Sequence, residues 1–114
     1  MTTSTTLIQL KSYGMGIGPQ ELQLKLLRTY LTLLLENETR PGALVFYTDA
    51  VKLLTRESPV LDLLQQLEAR QVRLIACSTC INFFGIQDQI AAGIVGGMPD
   101  IMAAQEAASK IIDL

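Results

Sequence analysis

Short apolar segments that alternate with segments of helical periodicity constrain the fold of this chain most strongly. ALVFYT at residues 43–48 and VRLIA at 72–76 are apolar almost throughout rather than at every second position. Strands of that kind are buried on both faces, as in a parallel sheet. Residues 60–71, between them, carry leucines at helical spacing. The order of elements therefore predicts an α/β fold in which helices cover both faces of a small parallel sheet.

The rest of the chain extends this pattern to about five strands. Further strands are predicted at residues 6–12, 93–98 and 110–114. Helices are predicted at residues 19–37, 50–55, 60–71 and 100–109, with short helical turns at 81–85 and 87–93. A length of 114 residues suits one domain, residues 1–114, with a flexible segment at 1–5.

The composition excludes several classes of partner. Nine basic and eleven acidic residues are spread along the chain, which is not the basic footprint of a nucleic-acid-binding protein. No apolar run approaches the roughly 20 residues that cross a bilayer. MTTSTT leads directly into the first predicted strand, so we expect no secretion signal and a soluble, cytoplasmic protein.

The first long helix has two apolar stripes on opposite sides. One stripe, the Leu26 stripe, contains Leu22, Leu26 and Leu33, and the other, the Leu31 stripe, contains Leu24, Leu27, Leu31 and Leu35. A helix that is apolar over so wide an arc is expected to contact its own sheet on one side and another subunit on the other. We expect the Leu31 stripe to hold a homo-oligomer together; a helix sunk deeper into its own core is the alternative.

The only two cysteines, Cys77 and Cys80, follow the third predicted strand. Ser78 and Thr79 are both suited to cap a helix, which would place Cys80 in its first turn. Thiolates are stabilised at helix N-termini, and neighbouring thiols can form a disulfide or pass a sulfur atom. The pair is therefore a candidate reactive site, half of a metal site, or two small core residues.

The absence of histidine limits the chemistry of this pair. It excludes Ser-His and Cys-His nucleophilic mechanisms and histidine-ligated metals. Two thiolates do not complete a four-ligand zinc site, which would need nearby carboxylates or the cysteines of a second subunit. We therefore expect no resident metal and no cofactor.

A glycine-rich segment, GMGIG at residues 14–18, follows the first predicted strand. Gly14, Met15, Gly16 and Gly18 could cradle an anion at the start of the helix, although a turn that needs positive φ fits the spacing better. Asp49 follows the second strand and lies at the same predicted edge, where it could position a substrate; capping the next helix is the simpler interpretation.

Aromatic and methionine side chains near these segments have ordinary interpretations. Phe83 and Phe84 could form an apolar wall beside the cysteines, but such residues are more often part of the core. Met15, Met98 and Met102 are expected to fill gaps in the core rather than to bind a soft ligand.

Three segments together resemble the DsrE/DsrF-like sulfur-relay family. They are MGIGPQELQLKLL after the first strand, ALVFYTDAVKLL around the second, and LIACSTCINFFGI after the third. Within the family, the chain is most similar to the DsrE-like domain of the YedF proteins, which are associated with selenium metabolism. The likeness runs from about Leu7 to Leu114.

The resemblance implies a parallel-sheet fold that assembles into trimers or hexamers, and a cysteine that carries sulfur as a persulfide. In the family that cysteine ends the third strand, eight residues before a glycine, and Cys77 and Gly85 have this spacing. Cys77 is thus the expected nucleophile and Cys80 its resolving or assisting partner. The Cys-Pro-x-Pro carrier domain usual in YedF proteins has no counterpart here, so a separate sulfur-carrier protein is the expected partner.

The leading functional hypothesis is a sulfurtransferase-like relay protein. The alternative from another class is an oligomeric binding or regulatory module whose Cys-x-x-Cys senses redox state or is structural. A thioredoxin-like reductase ranks third, because the cysteine pair follows the third strand rather than the first βαβ unit. Alkylation separates these hypotheses, since a sulfur carrier or a reductase needs an exposed and easily ionised thiol.

Overall fold

A computed structural model describes residues 5–37 and 40–114, and it contains a five-stranded, all-parallel sheet. The strands are β1 (Thr6–Leu10), β2 (Ala43–Phe46), β3 (Arg73–Cys77), β4 (Ile94–Gly96) and β5 (Lys110–Asp113). They lie in the order β4-β3-β2-β1-β5. All four residues of β2 are buried, as the continuous apolar run predicts. The predicted parallel α/β fold is confirmed.

Helices connect consecutive strands. They are α1 (Gln20–Glu36), α2 (Leu61–Ala69), α3 (Ser78–Phe84) and α4 (Met98–Ala107), with 3-10 helices at Thr48–Leu54 and Gln87–Gln89. The last helix begins at Met98, earlier than predicted, because the Asp100 carboxylate accepts a hydrogen bond from the Gly97 N–H at 2.9 Å. None of the helices in the described part of the chain has the length and apolar content needed to span a bilayer.

The direction of the crossovers places helices on both faces of the sheet. From β1 through β4 each connection moves one strand in the same direction, whereas the connection from β4 to β5 returns past β1. Because such crossovers are right-handed, α4 lies on the face opposite α1 and α2. A hydrogen bond of 2.6 Å from Gln105 Nε2 to Gln9 Oε1 ties α4 to β1.

The Leu31 stripe of α1 faces the sheet. Leu27 and Leu31 are fully buried and Leu35 is 9% exposed, whereas Leu22, Leu26 and Leu33 of the Leu26 stripe are 45–55% exposed. The prediction that the Leu31 stripe contacts another subunit is therefore wrong. The two stripes are equally apolar in sequence, and the way α1 packs on its own sheet decides which of them is covered.

A second exposed apolar surface lies around the β4 edge of the sheet. Ile94 and Val95 of β4 and Met98 and Met102 of α4 are each more than half exposed. Met15 is partly buried against the core, as predicted. The expectation that Met98 and Met102 fill gaps in the core is wrong for the single chain, because one turn of α4 places both on its exposed side.

The predicted flexible segment at residues 1–5 falls mostly outside the described residues, which begin at Thr5. The carbonyl of Thr5 accepts a hydrogen bond of 3.1 Å from the Ser109 N–H. This bond extends the pairing of β1 with β5 by one step toward the N-terminus.

Candidate functional site

Strand β3 delivers Cys77 to the carboxyl end of the sheet. Cys77 is the last residue of β3, with φ −66° and ψ 118°, and it is also the N-cap residue of α3. Cys80 lies in the first turn of α3, as predicted. Ser78 and Thr79 do not cap the helix, because β3 leads into α3 without a loop and both residues are already helical.

The two cysteines are free and differ in exposure. Cys77 is 1% exposed, whereas Cys80 is only partly buried. Burial raises the pKa of Cys80, and the nearby Cys77 thiol raises it further. The structure therefore brings the predicted pair together, but the thiol expected to react first has almost no contact with solvent in the single chain.

Thr48, a residue that no motif in the sequence marks, contacts the Cys80 thiol. Its backbone N–H donates to Cys80 Sγ at 3.1 Å, which opposes the rise in the Cys80 pKa. Thr48 has a φ of 52°, a left-handed conformation that is unusual for a β-branched residue. Its hydroxyl oxygen lies within hydrogen-bonding distance of the carbonyl oxygens of Lys11 and Tyr47, and these contacts keep the strained backbone in place.

A cleft of about 540 Å³ opens beside this site. Its lining includes Phe84, Asp49 and Lys52. Lys52 Nζ lies 4.1 Å from the centre of the Phe84 ring and donates to Asp49 Oδ1 at 3.2 Å. Asp49 therefore pairs with Lys52 instead of capping the 3-10 helix, which has no side-chain cap. Phe83 packs edge-on against Phe84 but is 84% exposed, so its assignment to the core is wrong.

The glycine-rich segment folds back onto α1 as a turn. Gly14 and Gly16 have φ of 139° and 78°, and a Cβ on Gly14 would lie 2.5 Å from Gln23 Cβ. The N–H of Met15 donates to the Gln23 carbonyl at 3.0 Å, and Gln23 Nε2 donates to the Gly16 carbonyl at 2.7 Å. The turn is thus the interpretation that these contacts favour.

The predicted substrate-binding residues separate into two groups. Asp49 lines the cleft, as do Tyr13 and Gln20 on either side of the glycine-rich segment. Residues 14–18 are not part of its lining. Within residues 5–37 and 40–114, no group of three or more Cys, Asp or Glu side chains is placed to hold a metal ion.

Most of the chain matches a known protein family. The family described as "DsrE/DsrF-like family" matches residues 18–114, which include both cysteines, Thr48 and every residue that lines the cleft except Tyr13. The chain belongs to the DsrE/DsrF-like family. No protein with a curated description matches it significantly.

Solved structures with the same fold share little sequence with this DsrE/DsrF-like chain. The ychN protein from E. coli superimposes with a TM-score of 0.70 at 18% identity, over 97% of this chain and 99% of that one. MTH1491 from Methanobacterium thermoautotrophicum, described as a protein of unknown function, gives 0.69 at 22% identity over 96% and 97%. At these identities the likeness establishes the fold.

Proposed function

We propose that this DsrE/DsrF-like chain is a cytoplasmic sulfur-relay protein that carries sulfur as a persulfide on Cys77. The observation that carries the proposal is the pair of free thiols at the carboxyl end of β3, with Cys77 as the N-cap residue of α3 and Cys80 in its first turn. Ligands and reactive groups of open parallel sheets gather at that edge. The spacing of Cys77 to Gly85 supports its choice as the carrier.

The proposed reaction is a thiol exchange. A thiolate of the chain attacks the outer sulfur of a donor persulfide, the sulfur–sulfur bond of the donor breaks, and the donor leaves as a thiolate. The chain gains one sulfur atom without net oxidation or reduction. Because Cys77 is 1% exposed, its persulfide is shielded from water and from other thiols until an acceptor engages it.

Intact-mass measurement tests this function. The reduced protein, incubated with glutathione persulfide, is expected to gain about 32 Da, one sulfur atom. The double variant with Cys77→Ser and Cys80→Ser should gain nothing. A wild-type chain that takes up no sulfur would contradict the relay function and favour the redox-sensing or structural alternative, which the burial of Cys77 and the raised pKa of Cys80 also suit.

The cleft beside Cys80 is the proposed substrate-binding region. Asp49 lines it directly, and Ser78 and Thr79 precede Cys80 in the first turn of α3. Gly14, Met15, Gly16 and Gly18 are proposed to act indirectly, by shaping the turn between Tyr13 and Gln20. Substitution of Asp49 by Asn should therefore change the rate of sulfur uptake more than substitution of Ile17, which is fully exposed.

We also propose a homo-oligomer of three or six subunits that uses the Leu26 stripe. Leu26 and its neighbours Leu22 and Leu33 are 45–55% exposed and lie on one side of α1, and contiguous exposed apolar residues of this kind often mark an interaction surface. Leu26→Glu should dissociate the assembly without unfolding the chain, since burying an unpaired charge costs several kcal/mol. A wild-type monomer at micromolar concentration in sedimentation would overturn this proposal.

The likeness to the DsrE-like domain of YedF proteins extends the proposal in two directions. A separate sulfur-carrier protein would exchange sulfur with the pair, and selenium would be a second possible cargo. Both ideas rest on the resemblance of the three sequence segments. Repeating the mass measurement with a selenium donor tests the second idea, because selenium adds a far larger mass than sulfur.

A further inference from the structure

The two thiols of the site differ in whether a donor can reach them. Cys77, the last residue of β3, is 1% exposed. Cys80, in the first turn of α3, is only partly buried. Thiol exchange requires the attacking sulfur to come within bonding distance of the donor sulfur, so access limits its rate. A donor therefore meets Cys80 before Cys77.

The surroundings of Cys80 suit a thiol that is first the attacking group and then the leaving group. The Thr48 N–H donates to Cys80 Sγ at 3.1 Å, and a fixed donor of this kind stabilises a thiolate and so offsets part of the rise in the Cys80 pKa that burial causes. Thr48 has a left-handed φ of 52°, and its hydroxyl reaches the Lys11 carbonyl. The backbone N–H is thus held toward the sulfur before any donor arrives.

The cleft lies beside Cys80, which is not itself one of the lining residues. Phe84 lines the cleft and follows Cys80 by four residues, so the two side chains lie on the same face of α3. Lys52 stacks over the Phe84 ring and pairs with Asp49, and a second carboxylate, Glu57, also lines the cleft. The lining therefore offers an aromatic face together with charged groups of both signs, and a small persulfide or an extended persulfide-bearing segment can contact both.

We infer that sulfur binds first to Cys80 and then moves to Cys77, a two-step transfer that rests on the proposed relay function. In the first step, Cys80 Sγ attacks the outer sulfur of the donor, whose thiolate leaves. In the second step, Cys77 Sγ attacks that same outer sulfur, a new bond forms to Cys77, and the bond to Cys80 breaks. Cys80 leaves as a thiolate next to the Thr48 N–H and takes the proton that Cys77 loses.

The second step is balanced within the chain. One sulfur–sulfur bond breaks and one forms, one proton moves between the two thiols, and no oxidant or reductant is needed. Cys77 is the N-cap residue of α3 and Cys80 lies in its first turn, so the proton passes between neighbouring thiols. Attack on the inner sulfur of the Cys80 persulfide would instead release sulfide and close a Cys77–Cys80 disulfide, and the two outcomes differ in mass.

Sulfur uptake by single variants of the full chain tests this order. With glutathione persulfide as the probe, Cys77→Ser should gain about 32 Da at close to the wild-type rate, on Cys80. Cys80→Ser and Cys80→Ala should both take up sulfur at least about tenfold more slowly, because only the buried thiol remains. Asn82→Ala, an exposed position on the same helix, is the matched control and should behave like the wild type.

Fragmentation of the labelled chain locates the sulfur over time. After quenching with an alkylating reagent, the wild type should carry the extra sulfur on Cys80 at early times and on Cys77 later. Wild-type uptake together with fast labelling of Cys80→Ser on Cys77 would overturn the order while leaving the relay function intact. A wild-type product that lacks about 2 Da and is accompanied by free sulfide would overturn the second step. Only a wild type that never gains sulfur would refute both proposals.

Discussion

Replacement of Gly14 by alanine should be the most damaging change in the glycine-rich turn. Gly14 has a φ of 139°, and an added Cβ would lie 2.5 Å from Gln23 Cβ and 2.6 Å from the Gln23 carbonyl carbon. The second contact is with backbone, so no side-chain rotation relieves it. The turn could accept the new methyl group only by moving away from α1.

The loss of folding stability in Gly14→Ala has three sources. Backbone strain at such a φ contributes about 1–3 kcal/mol. Forcing a methyl group into filled space adds about 1–3 kcal/mol. Separating the turn from α1 also weakens the hydrogen bond of 3.0 Å between the Met15 N–H and the Gln23 carbonyl, worth about 1 kcal/mol. Gly14→Ala should therefore lower the free energy of unfolding by about 3–7 kcal/mol.

Two neighbouring glycines provide matched controls. Gly16 has a φ of 78° but no atom within 4 Å of an added Cβ, so Gly16→Ala should cost about 1 kcal/mol from backbone strain alone. Gly18 has no positive φ, and its added Cβ would lie 3.9 Å from Leu22, which is ordinary contact. Gly18→Ala should be neutral or stabilising by up to about 1 kcal/mol, because it restricts the unfolded chain.

Urea unfolding of the three variants, followed by circular dichroism, measures these differences. The expected order of the free energy of unfolding is Gly18→Ala highest, then Gly16→Ala, then Gly14→Ala. A Gly14→Ala variant within about 1 kcal/mol of Gly16→Ala would refute the reasoning, because the two differ in contacts with α1. In that case the turn would not be anchored on Gln23 as the structure has it.

Four further predictions concern the site and the surfaces around it. Thr48→Val, although similar in shape to threonine, should cost about 1–2 kcal/mol more in urea unfolding than Thr48→Gly, since both variants lose the hydroxyl contact with Lys11 and only valine keeps the backbone strain. Because the folded chain raises the pKa of Cys80, this thiol contributes stability below the ordinary cysteine value of about 8.5, and urea titrations should show that stability lost as pH rises above it. Leu31→Ala should cost about 2–5 kcal/mol in the same assay and Leu26→Ala far less, since only Leu31 is fully buried. Elemental analysis of the purified protein should find well below one metal ion per chain, because two thiolates do not complete a zinc site.

The strands could be predicted because a strand buried on both faces has apolar residues at consecutive positions rather than at every second position. Residues 43–48 and 72–76 are apolar with little alternation, and the structure places Ala43–Phe46 and Arg73–Cys77 in adjacent parallel strands. Helix α1 was predicted nearly to the residue because Pro19 marks its start and leucines continue to its last turn. Its orientation was not predictable, since leucines of equal hydrophobicity occupy both sides.

Thr48 shows why part of the site escapes sequence reasoning. A β-branched residue is among the least expected at a φ of 52°, so its local preference argues against the conformation it adopts. That conformation is imposed by contacts with Lys11 and Cys80, which are 37 and 32 residues away in the chain. Sequence spacing identified the cysteines, but the group that holds Cys80 is a backbone N–H, which every residue except proline carries.

The strand order has a consequence for how the protein is made. The outer edge of β1 pairs with β5, in the register Thr6 with Lys110, so two partners in one ladder are separated by nearly the whole described chain. At synthesis rates of about 5–20 residues per second, β1 is made roughly 5–20 seconds before β5. During that interval β1 has an unpaired edge and carries Leu7, Ile8 and Leu10, which are buried in the finished fold. The nascent chain should therefore need protection from association with other nascent chains until its last strand has been made.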